Sequence, residues 1–122
     1  MNRIESMAAQ VKTPQKCIFN LHVPPFGSGL DTCPKLDANL KPIIGGGEIE
    51  TGPGGSTAVR KAVEKYQPLV GLHGHIHEAK GFVKIGRTLC LNPGSEYSEG
   101  VLRGVLIDLD GASVKNFLLT QG

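Results

Sequence analysis

An α/β fold, built as one mixed sheet with helices on one face, is the architecture this sequence predicts, and three observations carry it. Two short apolar runs, "CIFNLHV" at 17 to 23 and "LVGLH" at 69 to 73, flank a segment of helical periodicity. That order is a strand-helix-strand crossover, which implies a parallel pair. Two later pairs of alternating runs, each broken by a glycine-containing turn, read as antiparallel hairpins. With 122 residues, no internal repeat and no composition break, residues 1–122 are read as a single domain large enough to bury its own core.

Taken in order, "RIESMAAQV" at 3 to 11 has Ile4, Met7, Ala8 and Val11 on one stripe, a helix that Pro14 ends. The first strand follows and is halted by Pro24 and Pro25, neither of which fits a central ladder, so His22 falls at its end. From 26 to 55 the chain is rich in glycine and proline and without periodicity, the pattern of a long functional or mobile loop. "STAVRKAVEKYQP" then places Val59, Ala62, Val63 and Tyr66 at helical spacing, with Ser56 or Thr57 as cap and Pro68 as stop. "FVKIG" and "RTLCLN" form a hairpin turning near Gly86-Arg87. "VLRGVLIDL" and "ASVKNFLL" form another, expected to turn at Asp110-Gly111.

Composition narrows the function classes. Thirteen basic and 11 acidic residues leave a net charge of +2 with no basic patch for nucleic acid or an anionic membrane. Cys17, Cys33 and Cys90 have neither metal spacing nor the density of a disulfide scaffold, which suits reduced thiols. No signal-peptide core and no apolar run of membrane-spanning length is present, so a cytoplasmic location is expected. A Gly-x-Ser-x-Gly elbow is absent, and "GGGEIETGPGGST" lacks the Gly-Lys-Ser/Thr ending of a phosphate loop.

The chemistry is concentrated in the histidines. "LVGLHGHIHE" carries His73, His75 and His77 at alternate positions, and His22 ends the other crossover strand. In open α/β sheets ligands gather at the C-terminal strand edge, so all four imidazoles can meet there. Imidazole is the commonest transition-metal ligand, and Gly74 lets the backbone turn tightly between two of them. The free amides and dipole at a helix N-terminus make Ser56 a weaker candidate for contact with a phosphate.

"GHIH" resembles the Gly-His-x-His motif of the calcineurin-like metallophosphoesterases. "NLHVPP" is similar to that family's preceding histidine motif, and "LNPGS" at 91 to 95 to its Asn-Pro-Gly-Ser segment. The resemblance covers nearly the whole chain, in motif order and spacing, and matches the C-terminal half of the family's four-layer αββα sandwich. It implies that His22 and His75 hold one divalent metal and His77 a second, the ions being Mn, Fe or Zn. His73, usually not a ligand there, is a weak candidate for substrate contact. Two such ions about 3.5 to 4 Å apart polarise phosphoryl oxygens and activate water. The implied substrates are phosphomonoesters, phosphodiesters or nucleotides.

That site also needs a bridging carboxylate, and the family's Asp-x-His, Gly-Asp-x-x-Asp and Gly-Asn-His motifs do not occur in this sequence. Asp31 and Asp37 lie in the long loop, Asp108 and Asp110 at a hairpin tip. The chain is therefore expected to be inactive alone. It would be completed by a missing N-terminal half or by a second chain; a free-standing site for one zinc on three histidines is the remaining alternative. A half sandwich should leave an apolar face uncovered, with Val101, Val105, Ile107, Phe117 and Leu119 as candidates, and so should self-associate. The rival reading is a non-catalytic module for metal binding or protein association.

Overall fold

The computed structural model describes residues 2–122. Helix α1 (Arg3–Ala8) is started by Asn2, whose side-chain oxygen accepts the Glu5 N–H at 2.7 Å. It is shorter than the stripe to Val11 predicted, and a single 3₁₀ turn at Pro14–Lys16 leads into strand β1 (Ile18–Asn20).

The stretch from 26 to 55, expected to be irregular, contains an antiparallel excursion. Strand β2 (Thr32–Pro34) returns to pair with β5 (Thr51–Pro53), and β3 (Ile44–Gly45) with β4 (Glu48–Ile49) forms a hairpin within it. Gly46 and Gly47, with φ of 59° and 84°, make the hairpin's two-residue turn, where positive φ at both positions favours glycine. Asp31, 1% exposed, ties down the base of the excursion: its carboxylate accepts the backbone N–H groups of Gly27, Gly29 and Gly55. Strands of two or three residues are too short to leave an alternation in the sequence.

Helix α2 (Thr57–Tyr66) is capped by Ser56, whose Oγ accepts the Val59 N–H at 3.1 Å, and ends at Gln67 in the left-handed region before Pro68. Strand β6 (Val70–Leu72) follows. The hairpin of β7 (Gly81–Ile85) and β8 (Thr88–Asn92) turns through Gly86-Arg87 as expected. In the last hairpin, β9 (Arg103–Asp110) and β10 (Ser113–Gln121), the turn lies one residue later than expected. Asp110 pairs with Ser113, so Gly111 and Ala112 are the central residues, and Gly111 alone of the two has positive φ. That is the glycine-first turn type, which does not require the second residue to be left-handed.

The central sheet has the order β1-β6-β8-β7, with β1-β6 and β6-β8 parallel and β8-β7 antiparallel. The α/β class with a mixed sheet holds. One face carries Cys90 and Val83 and packs with Val59 and Val63 of α2, joined by Leu30, Ile85, Ile4 and Leu21. The opposite face carries Val70, Leu89 and Leu91, and the β9-β10 hairpin lies over it through Val105, Ile107, Val114, Phe117 and Leu119.

This placement corrects one expectation. Val105, Ile107, Phe117 and Leu119 are not the uncovered surface but the hairpin's inward face. Period-two alternation then turns Leu106 and Leu118, paired across the hairpin, outward, where both are exposed. Val101 is half-buried and bridges to Glu96 outside the hairpin. Among the described residues no helix is long and apolar enough to cross a membrane.

Candidate metal site

Main-chain pairing continues past the ends of β1 and β6 and sets the site. The Leu21 N–H donates to the Leu72 carbonyl at 3.1 Å, the Gly74 N–H to the His22 carbonyl at 2.8 Å, and the His73 N–H to the Leu91 carbonyl at 2.9 Å. His22 is thereby held beside Gly74. A Cβ built on Gly74 would lie 3.4 Å from both Cε1 and Nδ1 of His22, so the missing side chain is the space against which that ring packs. His75 has φ of 60°, with the Ile76 N–H reaching the Gly74 carbonyl at 2.6 Å across it. The three residues form a tight turn of the rare, strained kind.

The outcome is a pair. The rings of His22 and His75 stand 5.4 Å apart between centres at an interplanar angle of 75°. Two imidazoles sharing one ion at metal–nitrogen distances of about 2.1 Å place their ring centres about 5 Å apart, so the observed spacing fits a common ion. Both side chains are exposed. Beside them a cleft of about 270 Å³ runs between the sheet and β9, lined by His22, Leu72, Gly74, Leu91, Gly104 and neighbouring residues.

His77 is not part of the pair. Its ring lies edge-on to Tyr97, 5.9 Å between centres, and its carbonyl accepts the Ser95 N–H at 3.2 Å. Among the described residues no group of three or more His, Cys, Asp or Glu side chains converges closely enough to hold an ion. The acidic residues considered from the sequence are placed elsewhere. Asp31 is committed to three amides, Asp37 accepts the N–H groups of Asn39 and Lys41, and Asp108 and Asp110 are exposed on β9.

His73 lies at the base of the same cleft, largely buried. It is only 5% exposed, its Nδ1 is 2.8 Å from the Leu21 carbonyl, and its Nε2 is buried without a partner. Since a carbonyl only accepts, Nδ1 carries the proton and Nε2 the lone pair. The ring folds back over Gly71, where a Cβ would meet Nε2 at 2.7 Å and Cys90 Sγ at 3.2 Å. The ring lines the cleft beside the pair, with Nδ1 taken by the Leu21 carbonyl and Nε2 turned inward. Burial holds the imidazole below its ordinary value of 6.5, against the opposing pull of the Leu21 and Val23 carbonyls.

The consequence for stability has a definite sign. A base whose folded pKa is lowered prefers the neutral form in the fold, so protonation favours the unfolded chain. The contribution of His73 is complete above about pH 6.5 and is lost as the pH falls toward and through the lowered folded value. With chelator present, thermal melts of the wild type should therefore lose midpoint in mild acid, and His73→Gln should flatten that loss. Parallel curves for the two proteins would rule His73 out as the cause.

Ser56 is likewise occupied. Its Oγ caps α2, its N–H donates to the Pro24 carbonyl at 2.9 Å, and the neighbouring Gly55 N–H is taken by the Asp31 carboxylate at 2.9 Å. A carboxylate already stands where an anion would approach the helix end, so a phosphate contact there is disfavoured by charge. Sequence reasoning missed the residue that ties the histidine turn in place, Asn92, although the "LNPGS" segment contains it. Its side chain is fully buried and hydrogen-bonded to that turn. No family model matches the chain, and no curated protein or solved structure matches it.

Proposed function

We propose that this chain supplies the histidine side of a binuclear metal centre for phosphoester hydrolysis, of the calcineurin-like kind that its motifs resemble. On this reading the sheet, with α2 on one face and the β9-β10 hairpin on the other, is one half of that family's sandwich. The observation that carries it is the His22–His75 pair, 5.4 Å between ring centres at the C-terminal ends of two parallel strands. His22 and His75 would hold one divalent ion of the Mn, Fe or Zn class, and His77, on the far side of the same turn, would serve the second. Bound ions of this kind supply Lewis acidity toward phosphoryl oxygens and activate water. The chain's own part is to orient the imidazoles and to offer the adjoining cleft to a phosphomonoester, phosphodiester or nucleotide. The bridging carboxylate comes from residues outside 1–122 or from a second copy, in a reducing cytoplasm that suits three free cysteines.

With two histidines on one ion and no carboxylate beside them, the chain by itself should turn over a nitrophenyl phosphodiester with Mn²⁺ no faster than free Mn²⁺ does. Robust turnover by the purified chain, abolished by His75→Ala, would overturn this expectation and leave a second copy of the chain as the source of the carboxylate. The reading of a protein-association module is favoured by a separate observation, the outward Leu102, Leu106 and Leu118, which are 77%, 65% and 61% exposed.

A further inference from the structure

The histidine turn is strained, and one buried side chain holds it. Asn92, at the end of β8, is 0% exposed. Its Nδ2 donates to the Ile76 carbonyl at 3.0 Å and the Leu30 carbonyl at 3.1 Å, with a longer contact of 3.4 Å to the Gly74 carbonyl. Its Oδ1 accepts the Gly94 N–H at 2.9 Å. Gly74 and Ile76 flank His75, so the amide grips the turn on both sides of the residue whose φ is 60°. A non-glycine residue in that region is strained and persists only where its surroundings enforce it. The same side chain reaches the second histidine through the backbone. By fixing Gly94 it sets the turn whose Ser95 N–H donates to the His77 carbonyl.

We infer that Asn92 is the positioning residue of the metal site: it touches no ion, yet it sets His75 in the conformation that brings its ring to His22. This rests on the reading of His22 and His75 as ligands. A free His75 would relax toward ordinary φ values and carry its ring away from its partner. The Nδ2 donor is the operative group, since only it contacts the turn around His75.

The test compares zinc affinity, the visible spectrum of the Co²⁺-loaded protein and thermal stability in four variants. Asn92→Ala removes the clamp. Asn92→Asp keeps its volume and the acceptor toward Gly94 while giving up the amide donor, and is read in its place if Asn92→Ala does not fold. Thr88→Val removes a buried hydrogen bond to the Pro68 carbonyl at the other end of β8 and controls for general destabilisation. His75→Ala reports on the ligand reading itself.

The folded Asn92 variant should bind zinc about 10–100-fold more weakly, the range typical of losing an outer-shell partner, with an altered Co²⁺ spectrum. Thr88→Val should melt earlier with affinity and spectrum unchanged. Asn92 variants that bind zinc as the wild type does, while His75→Ala does not bind, would overturn the positioning role and leave the site standing. Equal loss in the Asn92 and Thr88 variants would also overturn it. Wild-type binding by His75→Ala would remove the site and the inference together.

Discussion

Replacement of His75 by alanine is expected to weaken zinc binding by more than about 100-fold, beyond the range of about 10–100-fold that follows loss of an outer-shell partner. The pair leaves no spare ligand: His77 is turned to Tyr97 and no third His, Cys, Asp or Glu converges on His22 and His75 among the described residues. A lone exposed imidazole then remains. Alanine at a φ of 60° is also strained, so His75→Gly is the cleaner variant, because glycine accepts that conformation freely. It should fold at least as stably as the wild type and bind zinc no better than His75→Ala. Competition against a chromophoric chelator measures both, and serine at Cys17 and Cys33 should leave binding untouched.

The second large effect concerns the covering of the sheet. Leu89→Ala should destabilise the protein by about 3 kcal/mol, within the range for deleting a buried leucine side chain. Leu89 is 3% exposed, with Val70 beside it in register and the β9-β10 hairpin packed over both. Leu106→Ala, on the outward face of that hairpin at 65% exposure, should stay within about 0.5 kcal/mol of wild type. Urea unfolding gives both values. A Leu106 loss as large as that of Leu89 would mean that the hairpin packs with its other face inward, which the one-residue alternation of a strand makes a complete reversal.

Much of the frame was legible because its signals are local. Ser56, the apolar spacing of α2 and Pro68 mark a helix by chemistry that acts within one turn, and Gly86-Arg87 marks its hairpin in the same way. The parallel pairing of β1 and β6 followed from order alone, since a helix lies between them. What could not be read depends on distant partners. The ribbon from 32 to 53 is held by a three-residue pairing and by Asp31, whose amide partners Gly27 and Gly55 carry no side-chain signal.

The hairpin's inward face needed the sheet opposite it, because Leu106 and Ile107 are equally apolar in the sequence. Within the site, the strand-end position of His22 and His75 was visible in the pattern. The burial of His73 was not, because it depends on Gly71 leaving room for a ring two residues further on. Asn92 stayed hidden because its partners are main-chain carbonyls and one main-chain N–H, groups that carry no sequence signal.

The central claim, that His22 and His75 share one divalent ion, is tested most directly by following the four histidine side chains in long-range ¹H–¹⁵N NMR spectra during a zinc titration. The ring nitrogens of His22 and His75 should shift together and saturate at one equivalent, while His73 keeps its buried Nδ1–H tautomer and its signals. Shifts confined to His77, or His22 and His75 responding at different zinc concentrations, would contradict a shared ion.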